Sequence, residues 1–306
     1  MVYIIFILSL VAVSKGADWL VEGAVGLARL WGISQIVVGA TIVSLGTTLP
    51  ETLISAFAAA QGKGDVIVGT AIGSILFNTA VILGLAALIR PPRLTERQPF
   101  YKAGTMVGVL ILFALLALDL HISRGDSLLL AFVLILFLGS NMWNRTRNSG
   151  EKKNNISKND LIKHLVHLVI GSILVVAGAN FLLDSGVEIA RILGVPEAII
   201  AVTLFAVGSS LPELITAITA ASKGHTDLVL GNVMGANTLN IVFVISTAGL
   251  ISPFAVAPSV LSIDVLFSLS MMSILLIPAL FTKKISRLQG IISIIAYFAY
   301  LGILIF

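Results

Sequence analysis

Residues 46–56 read GTTLPETLISA, and 162 positions later the chain repeats the phrase as GSSLPELITA over residues 208–217. The match extends well beyond this phrase. Gly16-Ala17 corresponds to Gly178-Ala179, Ala28-Arg29 to Ala190-Arg191, Thr41 to Thr203, Gly62 to Gly224 and Asp65 to Asp227. Gly69 corresponds to Gly231, Gly73 to Gly235 and Asn78 to Asn240, with no gap anywhere from Gly16 to Asn78. Shared hydrophobicity alone would produce matches at Leu and Val. These fall on Gly, Pro, Glu, Asp and Asn, so the chain is one structural unit written twice.

The inventory decides the medium. Only 11% of residues are charged and 58% are hydrophobic, against about 25% charged in a soluble domain. That composition implies a polytopic membrane protein, and its spans must be helices because lipid leaves no partner for open backbone groups. The alternating polarity of a membrane barrel is absent. Hydrophobic segments fall at about 2–28, 36–60, 66–88, 101–119 and 127–143 in the first half. In the second they fall at about 162–190, 197–222, 227–250, 260–281 and 287–305. The expected units are therefore 1–143 and 161–306, joined by a polar linker at 144–160. An odd number of spans per half makes the second half enter the membrane from the opposite side, giving inverted-topology repeats.

One set of loops carries Arg29, Arg90, Arg93, Arg97, Lys102, the linker cations, Lys163, Lys223, Lys283, Lys284 and Arg287. The other carries only Lys63, Arg124 and Arg191. The positive-inside rule then places the linker in the cytoplasm and both termini outside. The first apolar run lacks a basic segment before it and has an internal counterpart, so it reads as a mature helix and not a signal peptide. The chain has no cysteine, which excludes disulfides and thiolate metal sites.

Proline inside a helix removes a backbone hydrogen bond and clashes with the preceding turn. Helices 2 and 7 are therefore expected to break at Pro50 and Pro212, freeing the carbonyls of Gly46 and Gly208 and loosening their neighbours. Glu51 and Glu213 follow at once. A carboxylate at mid-bilayer costs at least about 2.5–3.5 kcal/mol without a partner. No Lys or Arg lies at similar depth in the second, third, seventh or eighth segment. What surrounds the carboxylates is oxygen: freed carbonyls, the hydroxyls of Thr47, Thr48, Ser209 and Ser210, and the amides Asn78 and Asn240. A hard, anionic oxygen set suits Ca2+ or Na+ and offers nothing soft for zinc or copper. A single kinked helix with one Glu would be explained by packing, but two symmetry-related copies argue for a site. The four-residue spacing of Gly69/Gly73 and Gly231/Gly235 reads as close helix packing, which would bring Ser74 and Asn78 toward Glu51.

At GTTLPE, GSSLPE and the two Gly-rich segments ending in Asn78 and Asn240, the chain resembles the Na+/Ca2+ exchanger family of the calcium/cation antiporter superfamily. The resemblance covers essentially the whole chain and implies ten transmembrane helices in two inverted five-helix repeats. It further implies a central ion cluster between helices 2, 3, 7 and 8. Carried over, Glu51 and Glu213 are the main Ca2+ ligands, completed by the carbonyls of Thr47 and Ser209. Sodium would use Ser74, Thr48, Ser210 and the carbonyls of Ser44 and Ala206, with Asn78 and Asn240 at the middle. Asn240 stands where relatives can carry Asp, Ala236 where they can carry Ser, and each copy departs by one residue from the usual Gly-Thr-Ser. These departures bear on sodium stoichiometry more than on calcium.

The implied activity is Ca2+/Na+ antiport without a cofactor, in the plasma membrane, by a functional monomer with the lipid bilayer as its partner. Proton-coupled or K+-dependent exchange and, in a different class, a cation channel are the alternatives. Enzymatic function has no support: there is no nucleotide-binding loop, and His121, His164, His167 and His225 lie near loops. Nor is there a nucleic-acid patch, and the linker is too short for a regulatory calcium domain.

Overall fold

The computed structural model describes residues 1–94, 97–147, 158–194 and 208–305. It is helical throughout apart from two short strands. The first half contains α1 (Val2–Trp31), α2 (Gln35–Ala60), α3 (Gly64–Ile89), α4 (Arg97–Leu116) and α5 (Arg124–Arg147). The second contains α6 (Lys158–Ile192), α7 (Leu211–Ser222), α8 (Thr226–Ile251), α9 (Val260–Thr282) and α10 (Arg287–Ile305). Eight of the described segments are long and apolar enough to cross a membrane, while α7 and α10 are shorter apolar helices. The expected linker is trimmed at both ends, because α5 runs to Arg147 and α6 begins at Lys158. Its centre, 148–157, lies outside the described residues.

The repeated glycines close helices. Gly62 (φ 69) and Gly224 (φ 86) adopt the left-handed conformation that glycine takes without steric cost. Gly62 N–H donates to Ala59 O and Lys63 N–H to Ala58 O; Gly224 N–H donates to Ala221 O and His225 N–H to Ala220 O. Both are Schellman caps, offset by the repeat. Asp65 and Asp227 then sit in the first turns of α3 and α8, where a carboxylate complements the helix dipole.

The two peripheral helices α1 and α6 cross antiparallel, glycine to backbone. A Cβ on Gly16 would lie 2.9 Å from Val175 N and 3.0 Å from Gly171 O, and one on Gly178 would lie 3.1 Å from Val13 N. The offset of the repeat converts the first pair of contacts into the second, as an inverted two-fold requires. Such close approach is how membrane helices gain van der Waals contact without a hydrophobic driving force.

The ends of the bundle repeat the same symmetry. At one end β1 (His121–Ile122) pairs antiparallel with β2 (Phe254–Ala255), tying the α4–α5 loop to the α8–α9 loop. At the other, Arg93 bridges Lys284, tying the α3–α4 loop to the α9–α10 loop. One tie is the counterpart of the other, a single residue out of register. Leu120 (φ 62) and Lys283 (φ 56) lead into them with the same left-handed turn.

The core helix is α8, most of it buried, with α2 and α3 against it. Gly231 and Gly235 are packed so tightly on α2 that an added Cβ would lie 2.3 Å from Ile36 O and 2.5 Å from Ala40 Cα. This bears out the packing expected of that pair. Around Gly69 and Gly73, no described atom other than those of their own helix comes within 4 Å of such a Cβ.

The expected break at Pro50 does not occur there. Ser44–Ala60 is one continuous α-helix with Pro50 inside it. An irregularity lies two to three turns upstream, as a π-helical stretch at Gly39–Val43. At Pro212 the described chain shows a turn at 208–210 and then α7, which begins at Leu211 with Pro212 in its first turn. The segment before that turn, 195–207, lies outside the described residues, so the expected break of this helix falls partly outside them.

Candidate ion-binding site

Four helices deliver the oxygen atoms. Glu51 on α2 is 0% exposed and Glu213 on α7 is 1% exposed. They are close enough to feel each other's charge, and Thr47 faces the Glu213 carboxyl from α2. Among the described residues, no ion pair reaches either carboxylate. Both carboxylate oxygens of Glu51 and Oε2 of Glu213 also lack a hydrogen-bond partner. A buried polar atom without a partner carries a desolvation cost of about 1–3 kcal/mol, and a charged one more. Folded proteins retain such atoms only where something else satisfies them.

The unpartnered oxygens come in symmetric pairs. Thr48 Oγ1 and Ser210 Oγ, the Glu51 carboxylate and Oε2 of Glu213, and Asn78 Oδ1 and Asn240 Oδ1 are all buried and unsatisfied. Each pair is related by the repeat offset of 162. Helix distortion supports them: π-helical stretches begin at Asn78 (Asn78–Ile82) and at Asn240 (Asn240–Ile245). A π turn shifts the backbone hydrogen-bond register and re-aims the side chain at its start, a distortion frequent at functional sites.

The other expected residues divide. Ser74 Oγ meets Ser209 Oγ at 3.2 Å, so α3 of the first half touches the Gly-Ser-Ser turn of the second. Ser44 and Thr47 are buried, and their hydroxyls stay within α2: Ser44 Oγ donates to Thr41 O at 3.3 Å and Thr47 Oγ1 to Val43 O at 3.2 Å. The Thr47 hydroxyl also faces Glu213, so it stands between its own helix and the carboxylate of the other half. Ala206 lies outside the described residues. The buried Ala236 contributes no oxygen at the position matched to Ser74.

Structure adds polar atoms that sequence reasoning passed over. Ser55 Oγ, four residues after Glu51, and Thr216 Oγ1, three after Glu213, are buried and unpartnered. They lie on the same helix faces as the carboxylates, and a search at helical spacing from each Glu would have found them. Asn237 Nδ2 donates to Thr79 Oγ1 at 2.8 Å and approaches Met106 Sδ at 3.3 Å, bridging α8, α3 and α4. No sequence signal pointed to this contact, because the matching positions in the other repeat are apolar.

Chemically, two carboxylates and a shell of neutral oxygens can hold a hard cation. Among the described residues no group of three or more His, Asp or Glu side chains gathers in one place. Among the described residues, Glu51 and Glu213 supply the buried negative charge at the centre.

Comparison with known proteins agrees with this geometry. The family profile described as sodium/calcium exchanger protein matches residues 1–143 and 163–306. The chain is 33% identical to the uncharacterized membrane protein MJ0091 of Methanocaldococcus jannaschii, over 95% of this chain and 94% of that one. It is 30% identical to the sodium/calcium exchanger MaX1 of Methanosarcina acetivorans, over 99% and 98%. The solved structure of the sodium-calcium exchanger NCX_Mj soaked with zero Na+ and Ca2+ superposes with a TM-score of 0.87 at 31% identity, covering 99% of this chain and 98% of that one. A polytopic helical fold, duplicated Pro-Glu helices and a partnerless carboxylate pair ringed by oxygens thus coincide with a profile match over both halves: the chain belongs to the sodium/calcium exchanger protein family.

Proposed function

We propose that the protein is a secondary antiporter that exchanges Ca2+ for Na+ by alternating access, without a cofactor. The observation that carries this is the set of three symmetry-related pairs of buried, unsatisfied oxygens around Glu51 and Glu213. Ca2+ takes six to eight oxygen ligands and tolerates irregular geometry. Glu51 and Glu213 supply its charge, with the carbonyls of Thr47 and Ser209. Na+ is held at neighbouring positions by Thr48, Ser74, Ser210 and the carbonyls of Ser44 and Ala206, with Asn78 and Asn240 between. The two carboxylates are neutralised by one Ca2+ or by two Na+. A third Na+ would leave one net positive charge and make exchange voltage-dependent.

Residues 1–143 and 161–306 act as the two inverted units, joined by 144–160. The basic loops face the cytoplasm and both termini face outward, in the plasma membrane, by the asymmetry of Lys and Arg. The bilayer is the only partner the mechanism requires, and a monomer contains the complete site.

The test is Ca2+ uptake into proteoliposomes under an outward Na+ gradient, with the proton gradient collapsed by an ionophore. Uptake should follow the Na+ gradient. Uptake that ignores Na+ and follows H+ or K+ would replace this reading with proton-coupled or K+-dependent exchange. Downhill flux with no counterflow would point to a channel.

A further inference from the structure

A cluster of ionisable side chains outside the ion site lies at the end of the bundle that carries the α1–α2 and α7–α8 turns. A cavity of about 380 Å³ opens there between α1, α6 and the α7–α8 turn. We propose that this cavity binds a phosphoryl anion, either a phospholipid headgroup or free phosphate.

The charges are already partly sorted. Lys223 Nζ lies 2.8 Å from Asp18 Oδ1 and 3.5 Å from Glu22 Oε1, and His167 Nδ1 lies 3.7 Å from Glu22 Oε2. Lys223 therefore engages both α1 carboxylates, with the His167 ring beside Glu22. Arg29 and Lys163 also line the cavity and make no ion pair among the described residues. The remaining acid in the wall is Asp160, one turn from Lys163 on α6. His164 turns a buried, unpartnered Nδ1 toward α1, against Gly26, where any Cβ would collide with the imidazole ring.

His225 reports the local field. Its Nδ1 donates to Gln35 Oε1 at 3.1 Å. Its pKa is lowered by burial first, and then by Arg29, Lys223 and Arg90. Three cations thus converge on one imidazole, and Arg90 packs against the Gly224 backbone beside it. Repulsion among them is what a bound anion would relieve. Cavities of this kind between membrane helices, lined by Arg, Lys and His at the lipid–water boundary, suit phosphate-bearing headgroups through charge-assisted hydrogen bonds.

Delipidated protein in neutral detergent provides the test, followed by thermal unfolding with added phosphatidic acid, phosphatidylcholine or inorganic phosphate. Phosphatidic acid should raise the midpoint more than phosphatidylcholine does. Arg29→Gln and Lys163→Gln should each weaken the effect about fivefold in apparent affinity, the worth of one exposed charge pair. Arg29→Lys with Lys163→Arg should retain it. Glu22→Gln should strengthen it, because Lys223 then keeps only Asp18. A shift with inorganic phosphate alone identifies a free-anion site; a shift only with phosphatidic acid identifies a lipid site. The proposal fails if no phosphate-bearing additive shifts the midpoint beyond phosphatidylcholine, or if the shift survives in the double Gln variant. Because Arg29 and Lys163 lie outside the ion site, a failure here leaves the exchange reading intact.

Discussion

In the first half Pro50 lies inside an unbroken helix from Ser44 to Ala60, while in the second Pro212 occupies the first turn of a helix that begins at Leu211. The local sequences are nearly the same, GTTLPE against GSSLPE, so local propensity cannot account for the difference. The stretch leading into Pro50 lies against α8, where Gly231 and Gly235 bring their backbone onto Ile36 and Ala40. The residues that the repeat would set against Gly69 and Gly73, at 198 and 202, lie outside the described residues. The consequence reaches the site. Glu51 stands in mid-helix with both oxygens unsatisfied, whereas Glu213 stands at a helix start, where the dipole favours its charge. Ser210 and Glu213 have the spacing of a capping box, yet the Ser210 hydroxyl makes no cap bond and remains unpartnered.

The comparison breaks most decisively at the carboxylates. Glu51→Gln and Glu213→Gln should each lower Ca2+ binding by about two orders of magnitude, the scale of about 3 kcal/mol for removing one partner of a buried charge set. Both proteins should remain folded, since a neutral amide is easier to bury than the carboxylate it replaces. Calcium titration of the purified variants decides this, and binding that survives in Glu213→Gln would remove that residue from the site.

Next in size is the glycine contact between α8 and α2. Gly231→Ala places a methyl group on the Ile36 carbonyl and should cost about 1–3 kcal/mol, the range for overpacking. Unchanged thermal stability in this variant would show that the two backbones are not held in contact.

The prolines should separate by a smaller margin. Pro50→Ala restores a hydrogen bond inside a continuous helix and should stabilise by about 1 kcal/mol, part of the cost of an interior proline. Pro212→Ala acts in the first turn, where proline is tolerated, and should change stability by less than about 0.5 kcal/mol. A stabilisation at position 212 as large as at 50 would mean the second helix is continuous too.

The smallest expected effect concerns sodium. Ser210→Ala and Thr48→Val each remove one unsatisfied hydroxyl from the centre. Each should raise the Na+ concentration needed to drive exchange by about fivefold, the worth of roughly 1 kcal/mol for one polar contact. Ca2+ affinity should change less, because its ligands are chiefly charged. Sodium-dependence curves in proteoliposomes compare the two, and a larger effect on Ca2+ than on Na+ would reassign the hydroxyls.

Much of this architecture was legible in the letters. The repeated glycines mark left-handed caps at Gly62 and Gly224, the repeated aspartates mark the next helix starts, and the repeated Pro-Glu marks the carboxylate pair. These features rest on local backbone geometry and on the cost of burying charge, both readable one residue at a time. Where a proline bends its helix was not legible. The distortion at Gly39–Val43 precedes Pro50 by two to three turns, on the stretch that α8 packs against. The Asn237–Thr79 contact was equally out of reach, because its counterpart positions in the other repeat carry no amide and no hydroxyl.

By itself, then, the sequence determined a duplicated helical membrane protein with two charges in its centre and no cation beside them. Burial of charge and the glycine requirement for left-handed turns act locally and leave a trace in residue identity. Tertiary structure decided that Ser74 would meet Ser209 across the two halves, that π turns would begin at Asn78 and Asn240, and that Pro50 would sit inside a continuous helix while Pro212 lies in a first turn. Those outcomes depend on which helix faces which, and close packing between segments far apart in the chain is set by the whole bundle.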